Sequence, residues 1–304
     1  MPKNELVSRY EQAAAILPSR LRKAALCLSE EEKARAEELR LRAGRPLAVL
    51  LPEGELPLDA DVEPEDLETL CDIATEFSRY AASETIREGF LPVRGGFRVG
   101  LCGTAVMKDG TNTNLKNLSS AVIRVARERK GVAEGVAPRL FQNGGFVNTL
   151  ILSPPGGGKT TLLRDLVRCL SEGGTDHPPQ RISLIDERGE VAVVHQGAPQ
   201  MDVGPRTDVL DACPKALGIP IVLRAMNPQI ITVDEITVRE DLTAMSLAAG
   251  CGVGLLATIH AAGVPELLRK PLYRTLLEHQ VFRLAVRILR DENGRAYALE
   301  ELPC

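Results

Sequence analysis

The stretch FVNTLILSPPGGGKTTLLRDL, Phe146 to Leu166, decides how this chain of 304 residues is read. Its first seven residues suit a buried strand, and Gly and Pro dominate the middle. Leu162, Leu163 and Leu166 then open a helical spacing that Val167 and Leu170 continue. A strand, a tight loop and a helix N-terminus, in that order, are the parts of a phosphate-binding loop. Backbone N–H groups converge on phosphate oxygens and the helix adds positive potential. Gly156, Gly157 and Gly158 allow the backbone to approach closely where side chains would block it. Lys159 is then placed to reach the β- and γ-phosphates of ATP, and the Thr160 hydroxyl to bind Mg²⁺. The whole cradle runs Ser153, Pro154, Pro155, Gly156, Gly157, Gly158, Lys159, Thr160 and Thr161. One position departs from the G-x-x-x-x-G-K-[ST] signature, which has Gly where this chain has Ser153. Position 153 turns the chain out of the strand, so a small residue is expected to serve there at modest cost.

Around the loop, short apolar strands alternate with helices, which argues for a parallel α/β sheet. RISLID, QIITVDE and GLLATIH read as buried strands, and REDLTAMSLAAG as a helix stopped by Gly250. IITVDE, Ile230 to Glu235, lies about 75 residues after the loop and ends in two acids. That places Asp234 at the sheet edge as a Mg²⁺ ligand, with Glu235 beside it to activate water. Two other strand ends carry polar groups. SLIDERGE brings Asp186, Glu187 and Glu190, and LLATIHA brings Thr258 and His260, the histidine being either a sensor of the γ-phosphate or a hydrogen-bonded surface group.

The first ~130 residues have a different texture, and we place a boundary in the Gly-rich stretch from Val132 to Asn148, giving domains 1–135 and 136–304. NELVSRYEQAAAILP and SEEEKARAEELR read as helices, the second with Ser29 as N-cap. LRLRAGRPLAVLLP reads as a hairpin turning at Ala43-Gly44. EPEDLETLCDIATEFSRYAASETI is expected to be one long helix, and LPVRGGFRVGLCGTAVM two short strands around Gly95-Gly96. The C-terminal VFRLAVRILRDENGRAYALEEL reads as a hairpin turning at Asn293-Gly294.

Composition narrows the function classes. Net charge is −4 and aromatics make up 3%, with no Trp, which speaks against a base-stacking nucleic-acid surface. Seven cysteines without a C-x-x-C pair read as reduced thiols, not as a disulfide framework or a zinc site. The N-terminus lacks the apolar core of a signal peptide, and no apolar run approaches a membrane span. A cytoplasmic location is expected.

SPPGGGKTTLLRDL, IDERGE, DVLDACPKALGI, NPQIITVDEI and ATIHA, preceded by GGFRVGLCG and IRVARE, occur in the order seen in the stage III sporulation protein AA family. From about Leu39 to the end the chain resembles that family, which is itself similar to the hexameric ATPases of type II and type IV secretion and pilus retraction. The resemblance implies a RecA-like P-loop core preceded by a small α+β domain. It implies a hexameric ring that hydrolyses ATP with Mg²⁺ to energise membrane-embedded channel proteins from the cytoplasmic face, in the mother cell during sporulation. It also implies that Glu187 and His260 flank the nucleotide, and that arginines from the N-terminal domain or a neighbouring subunit reach the phosphates, with Arg98, Arg124 and Arg127 in position to do so. Two other readings stay open: a nucleic-acid-dependent ATPase of RecA type, and a nucleotide-gated scaffold with little turnover.

Overall fold

The computed structural model describes residues 3–80, 82–125, 128–278, 280–291 and 294–303. They fall into two compact units, one reaching to Glu128 and including His195–Gln200, the other made of Arg129–Val194 and Met201 onward.

The first unit opens with helices α1 (Lys3–Ala14), α2 (Ser19–Leu26) and α3 (Glu30–Arg35). Ser29 starts α3 with a capping box. Its hydroxyl accepts from Glu32 N at 3.3 Å, and the Glu32 carboxylate accepts from Ser29 N at 2.9 Å. The helix expected to run on to Arg40 stops at Arg35, because Leu39 and Leu41 alternate into the core on strand β1 (Glu38–Arg42). That strand pairs with β2 (Pro46–Leu51), which turns into β3 (Gly54–Asp61). The long helix expected over 63–86 is two pieces, α4 (Pro64–Ala74) and α5 (Ser83–Arg87). The Thr75 hydroxyl bonds back to the Cys71 carbonyl at 2.9 Å, and Glu76 and Phe77 take left-handed φ of 51° and 60°. No α-helix continues through two such residues. Then come β4 (Phe90–Val93), β5 (Phe97–Lys108) and β6 (Thr111–Arg124). β5 and β6 make a far longer hairpin than expected, turning at Asp109-Gly110 with φ of 50° and 77°. The sheet order is β3-β2-β1-β6-β5-β4, and its buried Leu39, Leu41, Val49, Val99 and Ile123 share a core with Leu67 and Leu70 of α4.

The second unit begins with a 3₁₀ turn at Ala137–Leu140 and the short strands β7 (Phe141–Gln142) and β8 (Gly145–Phe146). The main elements follow as β9 (Thr149–Ser153), α6 (Lys159–Glu172) and β10 (Ile182–Asp186). The chain then passes through a small hairpin of β11 (Val194–His195) and β12 (Ala198–Pro199), whose residues His195–Gln200 belong to the first unit, before β13 (Thr207–Asp211), α7 (Lys215–Ala225), β14 (Ile230–Val233), α8 (Arg239–Gly250) and β15 (Gly254–His260). Last are α9 (Val264–Arg269), α10 (Pro271–Glu278), β16 (Leu284–Asp291) and β17 (Gly294–Glu301). The sheet runs β13-β10-β14-β15-β9-β16-β17, parallel throughout except for the final β16–β17 pair, whose turn residue Asn293 lies outside the described residues.

Both faces of this sheet are covered, as parallel sheets require. Ile151, Ile182, Leu184 and Leu256 meet Leu162, Leu163, Leu166, Val167 and Leu170 of α6. The alternate residues Leu150, Leu152, Ile231, Val233 and Leu255 meet Ile219 and Val222 of α7 and Leu242 and Met245 of α8. Each such side chain contributes about 1.5–3 kcal/mol on burial. Gly250 is the last helical residue of α8, and the left-handed stop falls two residues on, at Gly252 with φ 79°. Because β9, β10, β14 and β15 are parallel, Ser153, Asp186, Val233 and His260 all leave the sheet at one edge.

Candidate nucleotide site

β9 delivers the chain to the loop at Ser153, which sits opposite His260 of β15 in the register and is 1% exposed. The Ser153 hydroxyl donates to the Pro154 carbonyl at 3.0 Å, a local bond of the kind serine makes in turns. Its side chain also does what the sequence did not show. It fills the space beneath Gly157, so that a Cβ at 157 would collide with Ser153 Oγ and lie 2.9 Å from Ser153 Cβ. Gly158 follows with φ 100° and caps α6, and the Arg295 guanidinium carbon lies 2.8 Å from where a Cβ would stand. Glycine is thus needed at 157 for space and at 158 for both conformation and space.

Lys159 opens α6 and is 7% exposed. Its ammonium lies 2.6 Å from His260 Nδ1 and 3.3 Å from the Ser153 carbonyl. Burial lowers its pKa, and the nearby Glu235 and Asp234 carboxylates oppose that shift. An ammonium has only donors, so His260 Nδ1 accepts and the ring proton sits on Nε2, 3.0 Å from Glu235 Oε1. Lys159, His260 and Glu235 therefore form one continuous chain of polar contacts.

β14 ends in Asp234 and Glu235. Thr160 Oγ1 donates to Asp234 Oδ2 at 3.1 Å, which brings together the two residues expected to hold Mg²⁺. A hydroxyl and a carboxylate at the mouth of a phosphate loop are the oxygen donors that ion favours, so the residues fit it. Thr258, buried in β15, fixes the acidic pair: its hydroxyl donates to Asp234 Oδ1 at 2.6 Å and accepts from Glu235 N at 2.9 Å. Glu235 takes a left-handed φ of 37°, which a residue with a side chain adopts only when its surroundings force it. Its second carboxylate oxygen, Oε2, lies 3.2 Å from Arg188 Nη1.

The acidic end of β10 separates into distinct parts. Asp186 is buried, and its carboxylate accepts from the N–H groups of Glu190 at 2.9 Å and Ala192 at 2.8 Å, and also from Val191. It shapes the loop instead of facing a ligand. Glu187 is ion-paired with Lys215, a buried lysine at the start of α7. Thr161 lies in the first turn of α6. Arg98 and Arg124 are in the first unit, paired across β5 and β6: Arg98 lies 3.9 Å over the Phe90 ring, and Arg124 is 3.9 Å from Glu38. Arg127 lies outside the described residues. Sequence reasoning missed Arg188 and Lys215 as well as the packing of Ser153. IDERGE and DACPK held the first two in plain view, but only the β10–β14 and β10–β13 pairings show what they touch.

Asp211, at the end of β13 beside Asp186, has its carboxyl pushed up to about 6, by burial first and by the Asp186 carboxylate second. A folded pKa above the ordinary value of 3.8 means a stability contribution present below pH ~4 that is lost as pH rises through about 6. After allowance for solvent screening this is worth ~1 kcal/mol. Thermal melts at pH 5 and pH 8 should show the wild type losing more stability with rising pH than Asp211→Asn. Parallel losses would contradict the assignment.

The sheet order, the loop and the acidic strand end together define a P-loop protein with a RecA-like core and an additional N-terminal unit. The chain belongs to the stage III sporulation protein AA family, whose profile, described as "Sporulation stage III, protein AA", matches residues 7–299. It is 36% identical over 271 residues to the stage III sporulation protein AA of Bacillus subtilis (strain 168), covering 89% of this chain and 88% of that protein. Its structure is similar to that of the Legionella pneumophila ATPase DotB, with TM-score 0.58 and 18% identity over 90% of this chain and 78% of that one. It is also similar to the pilus retraction motor PilT with bound ADP, with TM-score 0.57 and 19% identity over 88% and 79%. At those identities the likeness is one of fold. Among the described residues no helix is long and apolar enough to cross a membrane.

Proposed function

We propose that the chain is an ATP-binding and hydrolysing motor in which residues 136–304 form the ATPase domain. The observation that carries this reading is the single edge where Lys159 contacts His260, His260 contacts Glu235, and Thr160 contacts Asp234. In this reading the N–H groups from Gly156 to Thr161 and the Lys159 ammonium hold the ATP phosphates, and Thr160 and Asp234 would hold Mg²⁺, which would supply neutralisation of phosphate charge. Glu235 takes a proton from water as the water oxygen bonds to the γ-phosphorus. The bond from that phosphorus to the bridging oxygen breaks, and its electron pair leaves on ADP. His260 holds Glu235 in place, and Glu187, ion-paired with Lys215, follows β10, the strand that runs beside β14. Family membership supports the larger role: a hexameric ring at the cytoplasmic face of membrane-embedded channel proteins during sporulation, with Arg98, Arg124 or Arg127 of a neighbouring subunit supplying a further cation.

ATPase rate against protein concentration, with and without single-stranded DNA, tests the reading. A steep rise with concentration and no response to DNA is expected. Stimulation by DNA would move the protein to the nucleic-acid-dependent class, and ATP binding without turnover at any concentration would make it a scaffold.

The contact between Ser153 and Gly157 makes a second prediction. Ser153→Gly removes a buried hydroxyl and should change ATP affinity by less than about tenfold, or ~1.4 kcal/mol. Gly157→Ala places a methyl against Ser153 and should weaken binding by more than about tenfold. The double variant should recover part of that loss, because the two side chains compete for one space. ATP titration of the four proteins checks this, and strictly additive effects would contradict it.

A further inference from the structure

Arg188 has no part in the roles given so far. We propose that it is an in-chain cation for the γ-phosphate, shared in this structure with Glu235 and drawn onto the phosphate when ATP is bound; the proposal rests on the ATPase reading above.

The sheet brings the two residues together. β10 runs parallel beside β14, with Ile185 opposite Val233, so the chains that follow Asp186 and Val233 leave the same edge side by side. The loop bearing Arg188 is fixed behind it. Asp186 gathers three N–H groups from residues 190–192, and Arg164 of α6 donates to the carbonyls of Glu190 and Val191, each at 2.6 Å. At the front, the Arg188 side chain is 60% exposed and reaches forward to Glu235 Oε2. The backbone is held while the guanidinium is free to choose between acceptors.

Charge decides which acceptor it takes. Glu235 lies between two cations, Lys159 through His260 on one carboxylate oxygen and Arg188 on the other. A γ-phosphate beside Lys159 enters at one end of this chain and brings more negative charge than a carboxylate. An exposed Arg–Glu pair at 3.2 Å is weak, whereas Arg binds phosphate by two parallel charge-assisted hydrogen bonds. The phosphate therefore takes Arg188, and Glu235 Oε2 becomes available to water. ADP lacks the γ-phosphate and leaves the Arg188–Glu235 pair in place. The same residue then distinguishes ATP from ADP and couples the γ-phosphate to the proton acceptor.

The test measures Kd for the hydrolysis-resistant analogue AMP-PNP and for ADP, with Mg²⁺, on the full chain as wild type, Arg188→Ala, Arg188→Lys and Lys159→Ala. Turnover is measured alongside. Arg188→Ala should weaken AMP-PNP about tenfold or more, leave ADP within about twofold, and slow turnover by about 10² or more, since a phosphate-contacting arginine supplies about 10³–10⁵. Arg188→Lys keeps the charge but loses the paired geometry, and should fall between. Equal effects of Arg188→Ala on the two nucleotides, or none, while Lys159→Ala weakens both, would overturn the proposal and leave the ATPase reading standing. Wild-type affinities in Lys159→Ala would remove the reading itself and the proposal with it.

Discussion

Lys159→Ala loses ATP affinity by at least about a hundredfold in a chain that stays folded. The ammonium is buried among the loop carbonyl of Ser153, His260 and the two acids at the end of β14, so its charge serves whatever enters that cradle. A hundredfold corresponds to ~2.7 kcal/mol, within reach of a single charge-assisted contact to phosphate in a partly dehydrated site. Lys159 is buried, and its removal leaves His260 Nδ1 without that donor; because the His260 side chain is one-third exposed, the cost falls below the about 1–3 kcal/mol of a buried unsatisfied group. Removing a desolvated ammonium offsets part of that cost. Thermal unfolding should therefore shift by only a few degrees, while calorimetric titration shows binding lost. Unchanged binding in a folded variant would end the phosphate-loop assignment.

Glu235→Gln should separate binding from chemistry. The amide preserves the shape of the residue, its left-handed φ and the hydrogen bond from its N–H to Thr258, but it can no longer take a proton. Removing a general base costs about 10²–10⁴ in rate, so ATP affinity should stay within a fewfold of wild type while turnover drops by at least about a hundredfold. Wild-type turnover in this variant would pass the role to Glu187, whose carboxylate Lys215 already fixes.

The ATPase-like unit was largely legible in the sequence because its signals are local. The apolar run ending at Ser153, the three glycines and the helical spacing after Lys159 lie within one stretch of chain, and IITVDE announces its own sheet edge. What was hidden depends on strands that are neighbours in space only. Arg188 meets Glu235 because β10 lies beside β14, and Lys215 meets Glu187 because α7 begins where β13 ends, next to β10. The role of Ser153 was hidden for a related reason: a one-residue departure reads as a turn until Gly157 is folded down onto it. In the first unit, Ser29 marked its helix correctly, yet the polar run that followed was overridden by Leu39 and Leu41, which a sheet paired on both sides of β1 pulls into the core. The break after Ala74 is local, marked by the Thr75 hydroxyl bonded back to Cys71 and by the left-handed Glu76 and Phe77, and helix propensity does not announce it. The Asp109-Gly110 turn was readable, since the pair favours the twisted two-residue hairpin that β5 and β6 form.

The central claim is that one sheet edge both binds Mg·ATP and hydrolyses it. Phosphate release from ATP by the purified full chain, followed alongside Lys159→Ala and Glu235→Gln over a range of protein concentrations, tests it most directly. The account predicts release by the wild type that is lost in both variants, with ATP binding kept only in Glu235→Gln. Release that continues undiminished in both variants, or a wild type that binds ATP and releases no phosphate at any concentration, would contradict it.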